Sequence, residues 1–314
     1  MTDSQGRNHS DRDHEEIDLL EIFRIVWQGK WLIAAITFVV AVIGLIVALL
    51  LPNVYRAEVL LAPNESQSTD GLAALATQYG GLASLAGIDL DSGAIDKATL
   101  GLEILRSRKF VSDFIERHDL LVPLLAARGW DTDSGELVID ANDYDVASNK
   151  WVRDVSPPKK VIPSMQEAHD EFLNIMSVKQ DKKSGFVTLS VEHYSPIVSK
   201  QWVDWLVKDI NSTIMLQDVS EAEQAIAYLR DQIESTSVAD LRAVFSRLVE
   251  EQTKTVMLAK ISPEYVFRTV DPAVVPEFKA RPNRMLIILF ATALGGFAAA
   301  FLVVVKSGVS VKRH

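Results

Sequence analysis

Two long apolar runs lie near the ends of the chain and dominate its hydrophobic pattern. Residues 31–51 and residues 285–305 carry no charged side chain. The residues in these runs that fall outside the hydrophobic set are Thr37, Gly44, Thr292, Gly295 and Gly296. As a helix, either run would measure about 32 Å, enough to cross a hydrocarbon core of about 30 Å. Because helices of soluble proteins rarely extend this far without a charge, the pattern predicts two transmembrane helices.

The charges around the first run predict its orientation. The segment before it is rich in acidic residues and no Ala-x-Ala site follows it, which argues against a cleaved signal peptide. Arg24 and Lys30 precede the run and only Arg56 follows closely, so the positive-inside rule places the N-terminus in the cytoplasm. Basic residues flank the second run on both sides and therefore do not indicate its orientation. We take the orientation of the chain from the first run. We therefore expect cytoplasmic tails at residues 1–30 and 306–314, and a large domain outside the cytoplasm at residues 52–284.

Between the two runs, short segments of strand and helix pattern alternate. Val54–Leu61 is rich in β-branched and apolar residues and predicts a strand. Ile175–Asp181 and Phe186–His193 flank a Lys-Lys-Ser-Gly turn and predict a hairpin with one buried face. Tyr265–Val270 predicts a further strand, and Ile95–His118 has a helical pattern. The strands come from distant parts of the chain, so we expect an α+β fold whose base is a mixed sheet close to the membrane.

A long helical region, residues 197–260, contains neither proline nor glycine. Three poor helix formers stand together at 235–237, and Ser237 with Asp240 fits a capping box. The pattern predicts a helix near 197–234, a turn, and a returning helix near 238–260. The first helix would be about 57 Å long, too long for one small core, so we expect it to project as an arm.

Two sets of residues are expected to pack helices together. Apolar stripes on the arm suggest burial between subunits of an oligomer, by Leu229, Ile233, Leu241, Phe245 and Leu248. Small residues recur on one face of each span, at Gly44, Ala48, Ala291, Gly295, Gly296, Ala299 and Ala300. Such faces let helices approach closely, either between the spans of one chain or between subunits. A near repeat at residues 71–87 is either a surface loop or a segment packed against a neighbouring subunit.

Composition excludes several functions. The 314-residue chain has a net charge of −10 and no cysteine, which disfavours nucleic-acid binding and excludes disulfides and thiol chemistry. The sequence contains no Gly-Lys-Ser/Thr phosphate loop, no His-Glu-x-x-His and no Gly-x-Ser-x-Gly. The acidic stretch 131–145 lacks the glycine of a calcium loop and is interpreted as solvated. We therefore expect no catalytic residue, cofactor or metal, and a protein that is not an enzyme.

A proline-rich segment precedes the second run and makes the chain recognisable. Pro272, Pro276 and Pro282 predict a stiff, extended lead into the membrane, with Arg284 at the head-group level. This segment, joined to a span with two glycines, resembles the Wzz family of bacterial polysaccharide chain-length determinants, or co-polymerases. Further similar segments are Glu16–Leu20, Trp27 with Lys30, Leu229–Leu258 and Glu264–Val275. One departure is Arg281 before Pro282, where many members have serine.

The resemblance implies a bacterial inner-membrane protein with its central domain in the periplasm. Such proteins form homo-oligomeric rings in which long helices project from an α/β base. They set how many repeat units a Wzy-type polymerase adds to a lipid-linked polysaccharide, such as the O antigen of lipopolysaccharide. The implied partners are further copies of the chain, the polymerase, the growing glycan and the bilayer. Whether the ring holds polymerases or grips the glycan is left open.

Two other functions fit the predicted layout. The chain could be the membrane adaptor of a separate tyrosine kinase in capsule or exopolysaccharide export, exposing its C-terminal tail to the kinase. It could also be a sensor ectodomain between two spans, although the predicted cytoplasmic tails are too short to hold a folded transmitter domain.

Overall fold

A computed structural model describes Trp27, residues 29–64 and residues 97–311, with side chains described up to Lys306. The chain divides into two units. The first is Met1–Leu51 together with Pro282–His314, and the second is Pro52–Arg281. The near repeat at 71–87 and the Glu16–Leu20 segment lie outside the described residues.

The first unit contains two helices, α1 (Lys30–Leu50) and α8 (Arg284–Val311). Both are long and apolar enough to cross a membrane, with mean hydropathies of 3.1 and 2.5. These helices include the runs predicted to span the membrane, and α8 continues beyond its run. Their large apolar side chains are mostly exposed, as expected for helices with no soluble core around them.

The second unit mixes strands and helices, as the α+β expectation required. In chain order it contains β1 (Val54–Pro63), α2 (Lys97–Arg106), α3 (Arg108–Arg117), α4 (Leu121–Leu125), β2 (Ala127–Trp130), β3 (Leu137–Ile139), β4 (Tyr144–Asp145), β5 (Lys150–Trp151), α5 (Met165–Ile175), β6 (Met176–Gln180), β7 (Val187–His193), α6 (Pro196–Ser235), α7 (Ala239–Ile261), β8 (Phe267–Asp271) and β9 (Lys279–Arg281). The predicted helical stretch at 95–118 is two helices, because Ser107 leaves the helical conformation and its side chain caps the second one.

The main sheet is built around β1. Its order is β6-β7-β1-β8, and β9 pairs with β1 beside β8. Every one of these pairings is antiparallel, so the expectation of a mixed sheet was wrong. The physical reason is the position of β1. Strands β7 and β8 run in the same direction, but β1 lies between them and pairs with both in the opposite sense. The predicted hairpin at 175–193 is present as β6 and β7.

One face of the sheet and the first half of α6 form the core. Val187, Leu189 and Val191 of β7 are fully buried, at every second position of the strand. Trp202, Leu206, Ile210 and Ile214 of α6 are buried at four-residue spacing, which is the period of one helix face. Helices α2, α3 and α5 add further buried residues to this single cluster.

Helices α6 and α7 form the predicted hairpin, with bounds within about one residue of those expected. The predicted cap at the turn is wrong. The N-cap residue of α7 is Val238, which makes no side-chain cap, and the backbone N–H of Val238 donates instead to the Thr236 hydroxyl at 3.4 Å. Helix α6 is capped at its start by Ser195, whose hydroxyl accepts from the Val198 N–H.

Candidate functional site

The residues predicted to pack the arm fall into two groups. Leu229, Ile233 and Phe245 are half-buried on the α6–α7 hairpin. Leu241 and Leu248 are exposed, at 47% and 38%. Seven further apolar residues of the hairpin, which the stripes did not include, are also exposed: Ile197, Leu216, Tyr228, Val238, Val244, Met257 and Ile261. The hairpin therefore presents more apolar surface than the stripes alone indicated.

Small residues lie directly in the contact between α1 and α8. A Cβ atom on Gly44 would come within 2.6 Å of the Ala291 Cβ, and one on Gly295 within 2.8 Å of the Val40 Cβ. A Cβ on Gly296 would lie 3.7 Å from the Thr37 hydroxyl, an ordinary contact. Ala48 and Ala299 are fully buried, and Ala300 is half-buried. The geometry places the small-residue faces between the two helices of one chain.

The prolines occupy the connections around the last strands. Pro272 follows β8, Pro276 lies between β8 and β9, and Pro282 follows β9. Within the same connection Ala273 is buried in the core, whereas Phe278 is 84% exposed. Arg284, the first residue of α8, donates from Nε to the Ala48 carbonyl at 3.0 Å, so this side chain contacts the end of α1.

A polar cavity of about 520 Å³, which no sequence pattern had indicated, lies in the second unit. Its lining comes from the ends of β7 and β9, from α4 and α5, and from the segment around the short strands. The charged residues that line it are Arg128, Asp143, Arg153, Lys159, Glu167, Glu171, Glu192 and Arg281. No local motif could have indicated this cavity, because its residues range from Val54 to Arg281 along the chain.

Arg153 and Glu167 form the best-defined ion pair of this lining. Arg153 Nη1 lies 2.7 Å from Glu167 Oε1, and Nη2 lies 3.2 Å from Oε2. Arg153 also donates to the Lys160 and Val161 carbonyls, which fixes the guanidinium plane. The hydrogen bonds from Arg153 hold the pKa of Glu167 below its usual value, so this carboxylate is ionised at neutral pH.

The other cations of the cavity are paired as well. Arg128 Nη2 contacts Asp143 at 2.7 Å, and Arg281 Nε contacts Glu192 at 3.0 Å. Lys159 lies 3.6 Å from Glu167. The lining thus combines four basic with four acidic side chains. Their charges balance.

His193 forms part of the cavity wall and is almost fully buried. Burial lowers the pKa of His193 to about 4, although the hydrogen bond to the Pro123 carbonyl opposes this shift. The ring packs against Trp202, with centroids 4.9 Å apart. His193 is therefore neutral at neutral pH and serves as a packed, hydrogen-bonded wall residue.

A second histidine sits in a separate polar cluster. Asp209 is buried on α6 and receives Arg117 at 2.7 Å and His118 at 2.9 Å. The His118 ring stacks on Trp205 with centroids 4.2 Å apart. These contacts join α3 to α6. The cluster therefore has a structural role, which is to hold these helices in place on the sheet.

The acidic stretch 131–145 forms local turns. Asp131, Asp140 and Asp145 each accept hydrogen bonds from backbone N–H groups two residues further on. Those bonds, with the Ser148 hydroxyl as the largest contribution at Asp145, lower the pKa of all three carboxyl groups. Over the described ranges, no group of three or more His, Asp or Glu side chains is arranged to hold a metal ion.

Comparison with known proteins gives one family match. Residues 15–118 match the family model Wzz, chain length determinant protein, a range that includes α1, β1, α2 and α3 but not the rest of the chain. The sequence matches none of the curated proteins.

The solved structures with similar chains include two polysaccharide co-polymerases. A full-length bacterial polysaccharide co-polymerase is 12% identical, with 93% of this chain and 98% of that chain covered and a TM-score of 0.39. A fragment of WzzB, a polysaccharide co-polymerase from Salmonella Typhimurium, is 11% identical, with 73% and 100% covered and a TM-score of 0.28. Both scores are low, and these likenesses carry no argument. The match over residues 15–118 agrees with the resemblance carried by the sequence motifs, and it identifies this part of the chain as similar to a chain length determinant domain.

Proposed function

We propose that this protein is a non-enzymatic inner-membrane oligomer that regulates the chain length of a surface polysaccharide made by a Wzy-type polymerase. The O antigen of lipopolysaccharide is the first candidate for that polymer. The observation that carries the proposal is the match of residues 15–118 to the chain length determinant family. It is supported by two apolar helices that bracket one α+β unit along the chain.

The proposed topology has both termini in the cytoplasm and residues 52–284 in the periplasm. The contacts between α1 and α8 support it. Gly44 of α1 lies against Ala291 of α8. Gly29, which directly precedes α1, lies against Val303, which comes later in α8. The helices therefore run antiparallel, which brings residue 29 and residue 303 to the same end of the pair.

The proposed oligomer would use the α6–α7 hairpin. Its exposed apolar side chains include Leu241 and Leu248, which were predicted to pack between subunits. Exposed apolar residues repeated along one hairpin are costly in water, and burial against another copy of the chain would remove them from solvent. The polymerase, the glycan and the bilayer complete the proposed set of partners.

Deletion of the gene tests the function. We expect the surface glycan to persist with a changed length distribution, read as a shifted ladder on a gel, because the polymerase would work without its length regulator. Re-expression of the unaltered chain should restore the original ladder. An unchanged ladder would contradict the proposal, and complete loss of the exported polymer would favour the kinase-adaptor alternative.

A further inference from the structure

The polar cavity of the second unit has the size of a ligand site. Its volume of about 520 Å³ lies within the range of about 300–1,000 Å³ that small-molecule sites occupy. The cavity is separate from the proline-rich connection between β8 and β9, from the α1–α8 contact and from the α6–α7 hairpin. It is therefore a candidate site that the proposed function has not yet used.

The charges of the lining indicate which ligands fit. Arg128, Arg153 and Arg281 are each held by a carboxylate at 3.0 Å or less, and Lys159 by Glu167 at 3.6 Å. A phosphate or sulfate would have to compete with these carboxylates for every cation. The balanced lining therefore disfavours an anion and favours a neutral molecule that both donates and accepts hydrogen bonds.

The lining of the cavity combines polar side chains with apolar ones, a mixture that suits a sugar. Glu171 and Asn174 form one edge, with the Asn174 amide donating to the Glu171 carboxylate at 3.3 Å. The Tyr194 ring also lines the cavity and is half-buried, with its centroid 6.0 Å from that of His193. The apolar part of the lining consists of Val54, Leu124, Leu125, Val155 and Ile175. Hydroxyl groups of a sugar can bond to the polar edge while its C–H faces pack on Tyr194 and the aliphatic side chains.

Because its ion pairs fix the side chains in place, the site is formed before a ligand arrives. Arg153 is held by four hydrogen bonds, to Glu167 and to two carbonyls. A preformed site loses little conformational entropy on binding, which is an advantage for a ligand with many weak hydrogen bonds.

We propose that this cavity binds a short, uncharged segment of the polysaccharide, a few sugar residues long. The inference rests on the proposed function for the identity of the polymer, and on the cavity alone for the chemical class. It locates the contact with the glycan on the α+β unit, at residues that include Asn174, Tyr194 and Glu171.

The test uses the full chain in detergent and a defined probe. The probe is the surface polysaccharide of the producing cells, released by mild acid and fractionated to short oligosaccharides. Binding is measured by calorimetry and by saturation-transfer NMR. We expect saturable binding that changes less than about twofold between low salt and about 0.5 M salt, since a neutral ligand is insensitive to screening.

Variants at Asn174 test whether the oligosaccharide binds in this cavity. This residue is exposed, so substitutions there should leave folding intact. Asn174→Ala removes the amide and should weaken binding about tenfold, which corresponds to about 1.4 kcal/mol. Asn174→Trp should block the cavity and abolish binding. Tyr194→Phe removes only the hydroxyl and should weaken binding by a smaller factor. The matched control is Asn142→Ala, an exposed amide on the acidic stretch that does not line the cavity.

Three results would overturn the inference. These are no binding by the unaltered chain, equal binding by the unaltered chain and by Asn174→Trp, or binding that disappears at high salt. The last result would mean an anionic ligand class. The proposed function fails by a different measurement, the unchanged ladder after gene deletion, so the two failures are distinguishable.

Discussion

At the scale of single residues, His193 shows how the fold selects a protonation state. Its Nδ1 accepts from the Ser195 N–H at 3.2 Å, and its Nε2 donates to the Pro123 carbonyl at 3.1 Å. Both nitrogens are thus used in the way that a neutral ring allows. A second ring proton would face the Ser195 N–H, which adds to the cost of burying the charge.

This arrangement predicts a pH dependence of stability. The imidazole titrates near 6.5 in the unfolded chain and near 4 in the folded one, so between these values the unfolded state binds the proton first. The contribution of His193 is present above this window. As the pH falls through it, the free energy of unfolding should decrease by about 1.4 kcal/mol per pH unit from this group. We expect His193→Gln to lack this component, measured as the difference between the two chains in denaturant unfolding followed by tryptophan fluorescence. Parallel pH curves would show that the ring is not held neutral.

The histidines also show what the sequence could not reveal about residues. They are scattered along the chain and carry no motif. His118 reaches Asp209, 91 positions away, and His193 reaches the Pro123 carbonyl, 70 positions away. Trp202 belongs to a series of apolar residues at four-residue spacing along α6, and it is buried. Local spacing thus predicts which side chains face inward, whereas the partners of buried polar groups depend on contacts between distant elements.

At the scale of elements, Asn211 joins α6 to the start of β8. Its buried side chain accepts from the N–H groups of Val266 and Phe267, at 2.7 and 2.9 Å. It donates to the carbonyl of Phe267 at 3.1 Å and to that of Val207 at 3.0 Å. One amide therefore satisfies the backbone of β8 where the returning chain enters the sheet.

Loss of this amide should be costly. In Asn211→Ala, several buried backbone groups lose their partners, and we expect the free energy of unfolding to fall by about 3 kcal/mol or more. Gln224→Ala is the control, because Gln224 lies exposed on the same helix and should change stability by less than about 0.5 kcal/mol. Denaturant unfolding of the full chain measures both. Similar values for the two variants would mean that the Asn211 bonds contribute little.

The α1–α8 pair gives a second prediction for elements. The chain has no cysteine, so cysteines at Thr37 and Gly296, which lie in contact, can report on the packing. Adding Gly295→Leu should slow disulfide formation at least about tenfold, because Gly295 has no space for a side chain against Val40.

Phe297→Leu is the matched control. Like Gly295, Phe297 is a direct sequence neighbour of position 296, but its side chain is 77% exposed. This control should leave the rate of disulfide formation unchanged. Rapid disulfide formation in the Gly295→Leu chain would argue against close packing of α1 and α8. A dimeric product on a non-reducing gel would place the contact between subunits.

Elements were largely predictable because their signals are local. The hairpin at 175–193 and the helices of the arm followed from the period of their apolar residues and from the turns between them. The antiparallel nature of the sheet was not predictable in this way. It follows from the insertion of β1 between β7 and β8, and no local pattern records which strand becomes a neighbour.

At the scale of the whole molecule, the proposed topology makes a direct prediction. A single cysteine at Ser148, exposed in the α+β unit, should react with a membrane-impermeant maleimide in intact spheroplasts. A single cysteine at Ser10 should react only after lysis, because the basic residues near α1 are expected to stay in the cytoplasm. Labelling of Ser10→Cys before lysis, with Ser148→Cys protected, would reverse the topology.

The candidate cavity belongs to this scale, and for that reason it was invisible in the sequence. Its lining residues include Glu171 and Asn174 from α5, and an ion pair between Glu192 of β7 and Arg281 of β9. Each residue taken alone has the pattern of an ordinary surface position. Only the folded α+β unit brings them around one space.

The central strand has a consequence for biosynthesis. Tyr55 pairs with His193 on one side and with Lys279 on the other. Both partners of β1 are therefore synthesised much later than β1 itself. A ribosome must complete almost all of the chain before this strand gains its second neighbour. Contacts so distant in sequence slow folding, because a long loop must close before they form. Until then the newly made strand offers bare hydrogen-bonding edges, and a chaperone that shields them would protect the nascent protein from aggregation.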